Sequence, residues 1–193
     1  MYLARRQKCS WKADPNCESA QLAEVVDEAN AALQLDPDYA AAHNLLGAAL
    51  TDQRKFNEAI AELHAALQLL PDYCQAHQNL GLALAGKGDL DGAIDEYRQS
   101  AILDPTSVVP HYRMGLLFDA KGDLDSAIEE YRKALALDPS GAEGHFRLGR
   151  DLRDKGDLQA ALDELQLAAE LSPGNETYTK AANDLKQQLR TDN

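Results

Sequence analysis

A repeat of 34 residues runs through most of this chain, and it constrains the architecture before any helix is assigned. Gly47, Gly81, Gly115 and Gly149 keep that interval, as do His43, His77, His111 and His145, and Ala59, Ala93, Ala127 and Ala161. Pro37, Pro71, Pro105, Pro139 and Pro173 mark the same step, and Lys-Gly-Asp-Leu recurs in phase at Lys87, Lys121 and Lys155. One such unit is too small to bury its own apolar face, so the units must stack on their neighbours.

Each unit reads as two helices. His111, Met114, Gly115 and Phe118 fall at i, i+3, i+4 and i+7, the stripe of a first helix, A. The Gly of Lys-Gly-Asp-Leu suits a left-handed C-terminal cap, and the Asp after it suits an N-cap. A second stripe, Leu124, Ala127, Ile128, Tyr131, Ala134, Leu135 and Leu137, makes helix B and stops at Asp138-Pro139, where proline disfavours further helix. The Gly115 class lets a neighbouring helix approach closely.

A 34-residue helix-turn-helix with Leu-Gly in helix A, Ala in helix B and a closing Pro resembles the tetratricopeptide repeat. The resemblance implies an all-α, right-handed superhelical solenoid of antiparallel helix pairs. Four full repeats are expected at 40–73, 74–107, 108–141 and 142–175. They depart mildly from the family pattern: His replaces a large aromatic early in helix A, and Arg54-Lys55 replaces Gly-Asp in the first turn.

The ends differ. Residues 18–39 read as a lone helix B, preceded by a basic segment or altered helix A at 1–17. Its stripe of Leu22, Val25, Val26, Ala29 and Leu33 has no obvious upstream repeat to cover it. Either Trp11 and the basic segment fold back over it, or a second copy or an upstream domain does. Residues 176–193 read as a polar capping helix and tail, with Tyr178, Ala181/Ala182, Leu185 and Leu189 facing inward.

Charge narrows the partners. With 19 basic against 32 acidic residues the chain carries −13, which opposes binding to phosphate backbones or anionic lipid. No apolar run approaches the ~20 residues of a membrane span, and no signal-peptide h-region follows the basic start. Protein or peptide ligands remain, with no nucleic acid partner, no membrane embedding, and a homo-oligomer through the N-terminal face as the alternative assembly reading.

Chemistry is sparse. Histidines on successive packed helices lie about 8–10 Å apart, too far to share one zinc whose ligands sit about 2 Å away. The expectation is a structural imidazole with one ring nitrogen bonded. No metal, cofactor or catalytic residue is assigned, because no nucleophile elbow, phosphate loop or His-Glu-x-x-His is present. Cys9, Cys17 and Cys74 read as reduced thiols in a cytoplasmic protein, with a Cys9–Cys17 bridge in a periplasmic or secreted one as the alternative.

In the family the concave surface is lined from helix A, at positions one, five and eight beyond the histidine. Here these include Asn44, Gln78, Leu82, Tyr112, Leu116, Asp119, Phe146, Arg150 and Arg153, at a spacing that puts each set on one face. The second half of this peptide-binding groove combines aromatics with Arg, as interfaces favour, and its arginines suggest a short acidic or mixed peptide. The co-chaperone clamp for C-terminal carboxylates is matched only by Asn79 and Arg113, while Asn44, Ala48 and Val109 fill its other places. Chaperone tails are therefore not expected ligands.

Overall fold

A computed structural model describes residues 15–191, with side chains from residue 22 onward. Expectations for Cys9, Cys17 and Trp11 side chains, and for the segment before Pro15, lie outside the described residues. Ten helices and no strand occur among them: α1 (Pro15–Leu35), α2 (Ala40–Asp52), α3 (Phe56–Leu69), α4 (Cys74–Lys87), α5 (Leu90–Leu103), α6 (Val108–Lys121), α7 (Leu124–Leu137), α8 (Ala142–Asp154), α9 (Leu158–Leu171) and α10 (Glu176–Thr191). They divide into two compact units, one ending at Leu103 and one beginning at Asp104.

The turns follow from their sequence. Gly88, Gly122 and Gly156 close their A helices at φ of +94°, +75° and +88°, a region that costs residues with a side chain about 1–2 kcal/mol. Asp123 then accepts from the Ser126 amide at 3.2 Å and caps α7. The first repeat makes the same turn without that chemistry. Arg54 takes φ +62°, and Lys55, the N-cap of α3, gives it no side-chain hydrogen bond.

In the N-terminal unit Ala29, Leu46, Leu50, Ala59, Leu63, Leu80 and Ala83 form one core, with Val26 and Leu33 packed on it. Part of the α1 stripe thus seats on the first repeat, through Val26, Ala29 and Leu33, and Val25 is buried; the segment expected to fold back over the rest lies outside the described residues. In the C-terminal unit Ala127, Ile128, Tyr131, Leu148, Leu152, Leu162 and Leu165 make the core, closed by Ala182 and Leu185 of α10. The apolar face of α10 is thus covered, and its polar face is what the array presents.

Gly115 has no room for a side chain, since a Cβ there would lie 2.5 Å from Tyr131 Cε1. What fills the space is the partner helix's ring rather than its backbone.

The recurring histidines bind more tightly than expected. His43 Nδ1 lies 2.7 Å from Glu62 and its Nε2 2.9 Å from the Pro37 carbonyl. His77 does the same with Glu96 and Pro71, at 2.6 and 2.9 Å, and His145 with Glu164 and Pro139, at 2.6 and 3.0 Å. His111 meets Glu130 at 2.7 Å. Each clamp ties helix A to its helix B, and three also reach the preceding turn. A neutral imidazole has a single N–H, and at His43, against the opposing effect of burial, the Glu62 and Pro37 hydrogen bonds hold the imidazole above its ordinary value. The expectation of one bonded nitrogen is corrected to two for His43, His77 and His145.

Candidate ligand-binding face

The expected groove residues behave differently in the two units. In the N-terminal unit Asn44 accepts from Asn79 Nδ2 at 2.9 Å and donates to the Tyr73 hydroxyl at 3.4 Å. Gln78 donates to Ser100 at 3.0 Å, and Leu82 is half-buried. These polar groups already have partners within the chain. That includes Asn79, one of the two matches to the co-chaperone clamp.

In the C-terminal unit the expected residues gather into a layer over α6, α8 and α10. Tyr112 and Leu116 of α6 and Phe146 of α8 are half-buried against the core. Phe146 stacks on Tyr178 of α10 with ring centroids 4.7 Å apart, and Tyr112 leans on Tyr131 of α7 at 6.0 Å. Offset aromatic contacts of this kind hold rings rigid while leaving an edge or face to a ligand.

The arginines are not free. Arg150 Nη2 bonds both oxygens of Asp119, at 3.2 and 3.4 Å. Arg153 bonds Asp154 at 2.8 Å, and Arg147 bonds Glu143 at 2.7 Å. Glu143 also accepts from the Tyr178 hydroxyl; that bond, with burial, pushes the phenol up to about 12. Arg150 therefore faces Asp119 in this structure rather than offering an open cation for acidic groups.

Sequence reasoning missed Asp151. It is fully buried, neither carboxylate oxygen has a hydrogen bond, and the nearest cation, Arg150 Nη2, is 3.7 Å away. Burial first, and the neighbouring Asp119 second, push its carboxyl up to about 6. The Tyr131 hydroxyl is likewise buried without a hydrogen bond, and burial moves its phenol well up. A signal was available: the same register holds Ala49, Ala83 and Leu117 in the other repeats, all buried. A second feature overlooked is a hollow of about 460 Å³ lined by Arg153, Lys180, Asp184 and Gln188 over Ala181 and Leu185. It carries the face onto α10.

Among the described residues no cluster of His, Cys, Asp and Glu could hold a metal ion, and no helix is long and apolar enough to cross a membrane.

The profile of the tetratricopeptide repeat matches residues 49–108 and 112–176, more than half of the chain. The chain belongs to the tetratricopeptide repeat family. Among solved structures it is similar to MamA, with a TM-score of 0.76 at 23% identity over 86% of this chain and 98% of that one. YrrB, described as a TPR protein with an unusual peptide-binding site, matches at 0.71 and 19% identity over 95% and 97%. TTC0263, a thermophilic TPR protein of Thermus thermophilus, matches at 0.64 and 20% identity over 87% and 92%. At these identities the likeness establishes the tetratricopeptide solenoid fold. No curated protein sequence matches.

Proposed function

We propose that the protein is a non-enzymatic scaffold that holds a peptide or partner helix on the A-helix face of its C-terminal unit. The observation that carries this reading is the partly exposed apolar layer of the aromatics Tyr112 and Phe146 with Leu116, bordered by Asp119, Arg150 and Arg153. Rigid aromatic anchors beside charged groups are the composition of interface hot spots. The N-terminal unit contrasts, because Asn44 and Gln78 are already bonded internally. Family membership and the peptide-binding description of YrrB support the same class of function.

The test uses randomised octapeptide pools, fluorescently labelled and acetylated, retained on immobilised protein. Wild type is expected to retain at least one pool. Phe146→Ala should weaken retention about 5- to 30-fold, the value of one or two kcal/mol at an anchor. A thermal melt of the variant, checked at the assay temperature, separates lost binding from lost fold. Equal retention by a folded Phe146→Ala protein would overturn the assignment of the face.

A further inference from the structure

A buried carboxylate without a hydrogen bond is costly, and a native protein that keeps one invites an explanation. Asp151 is such a group, at a register where repeats one to three carry Ala49, Ala83 and Leu117. Packing therefore does not require an acid there. Around it lie Asp119 from α6, the unbonded Tyr131 hydroxyl from α7, and Arg150, Arg147 and Asp154 from its own helix. The Arg150 guanidinium spans the two carboxylates, with Nη2 3.2 Å from Asp119 Oδ2 and 3.7 Å from Asp151 Oδ1. Arg147 Nη1 reaches the same Asp119 oxygen at 4.0 Å while its Nε bonds Glu143. Arg150 hydrogen-bonds Asp119 and leaves Asp151 unsatisfied. Arg150 is itself about one-third exposed (32%), so its side chain can leave by rotating outward.

The site thus has two acids, an unpaired phenol, and a resident guanidinium that satisfies only one of the acids. Taking the peptide-binding reading of this face as given, we propose that Asp119 and Asp151 seat a basic side chain of the ligand, a guanidinium or ammonium group, in the place Arg150 occupies in the free protein. Arg150 is then an internal competitor rather than a ligand-binding cation. This replaces the acidic or mixed peptide suggested by the arginines in the sequence with a basic one. It also agrees with the chain's overall charge of −13, which steers cations toward the molecule.

Removing the ligand's partner and removing the competitor must act in opposite directions. The experiment retains the octapeptide pools with one central position fixed as Arg, Lys, Glu or Ala. Wild type should hold the Arg and Lys pools about fivefold or more above the Glu and Ala pools, a difference near 1 kcal/mol. Asp151→Asn should erase that preference while Phe146-dependent retention of all pools persists. Arg150→Ala should raise retention of the Arg and Lys pools. Preference for the Glu pool, loss of Arg-pool retention in Arg150→Ala, or an unchanged preference in Asp151→Asn would overturn the proposal and leave the face assignment standing. Failure of any pool to bind wild type or Arg150→Ala would overturn both. Asp151→Asn removes a buried charge, so a melt at or above that of wild type will show that its binding defect is not unfolding.

Discussion

Replacing Asp151 by Leu should make the protein more stable, and the size of the gain can be worked from the site. The carboxyl is raised from an ordinary value of 3.8 to about 6. At 1.36 kcal/mol per unit, ionised Asp151 costs the fold on the order of 3 kcal/mol at pH 7. The sign follows from the direction. A carboxyl raised by folding takes up its proton more readily in the native state, so the cost is full above pH 6 and is relieved as pH falls toward 4. The groups facing it are Asp119 on α6, Tyr131 on α7, and Arg147, Arg150 and Asp154 on α8. Leucine is tolerated at this register in the preceding repeat, where Leu117 is 7% exposed. Its apolar burial is worth about 1.5–3 kcal/mol, and its larger volume costs about 1–3, so the two roughly cancel. Asp151→Leu should then gain about 3 kcal/mol at pH 7, or roughly 10 °C for a chain of this size. The assay is helical circular dichroism through thermal melts between pH 4.5 and 8. Wild type should gain melting temperature on acidification from 7 to 5, and the variant should start higher and lose that part of the slope. A variant less stable than wild type at pH 7, or one with a parallel pH profile, would refute the reasoning.

Other tests follow from the fold. Arg54→Gly with Lys55→Asp restores the turn chemistry of the later repeats and should stabilise by about 1–3 kcal/mol in urea melts. Gly115→Ala drives a methyl into the Tyr131 ring and should cost about 1–3 kcal/mol by the same measurement. Burial lowers the His43 imidazole, but the Glu62 and Pro37 hydrogen bonds outweigh it and the net shift is upward. Its contribution is therefore complete below pH 6.5 and fades as pH rises through the raised value, and His43→Gln should flatten the alkaline side of the stability profile. A Glu-Glu-Val-Asp peptide should show no micromolar binding by calorimetry, because Asn79, one of only two matches to the carboxylate clamp, is bonded to Asn44.

The fold was legible because the repeat writes it several times over: Lys-Gly-Asp-Leu marks a turn whose left-handed residue and N-cap its Gly and Asp suit best, and the A and B stripes locate the helices. The candidate face was legible in outline from the same register. Spacing places Arg150 and Asp119 on one side, but it does not say that the two side chains meet across neighbouring repeats and neutralise each other. The clamp of His43 on both Glu62 and the Pro37 carbonyl was missed for a like reason, since its acceptors come from two other segments. Asp151 is one acid among several on a charged helix; its register against Ala49, Ala83 and Leu117 hints that it is buried, but that both its oxygens lack a hydrogen bond shows only in the structure. For α1, the stripe was visible in the sequence but not which neighbour it packs on.

The central claim is that a ligand lies on the A-helix face of the C-terminal unit. Hydrogen–deuterium exchange of the wild-type chain with and without the best-retained peptide pool tests it directly. The account predicts slowed exchange in 108–121, 142–154 and 176–191, with little change in α7 and α9. Protection confined to α7 and α9, or to the N-terminal unit, would contradict it.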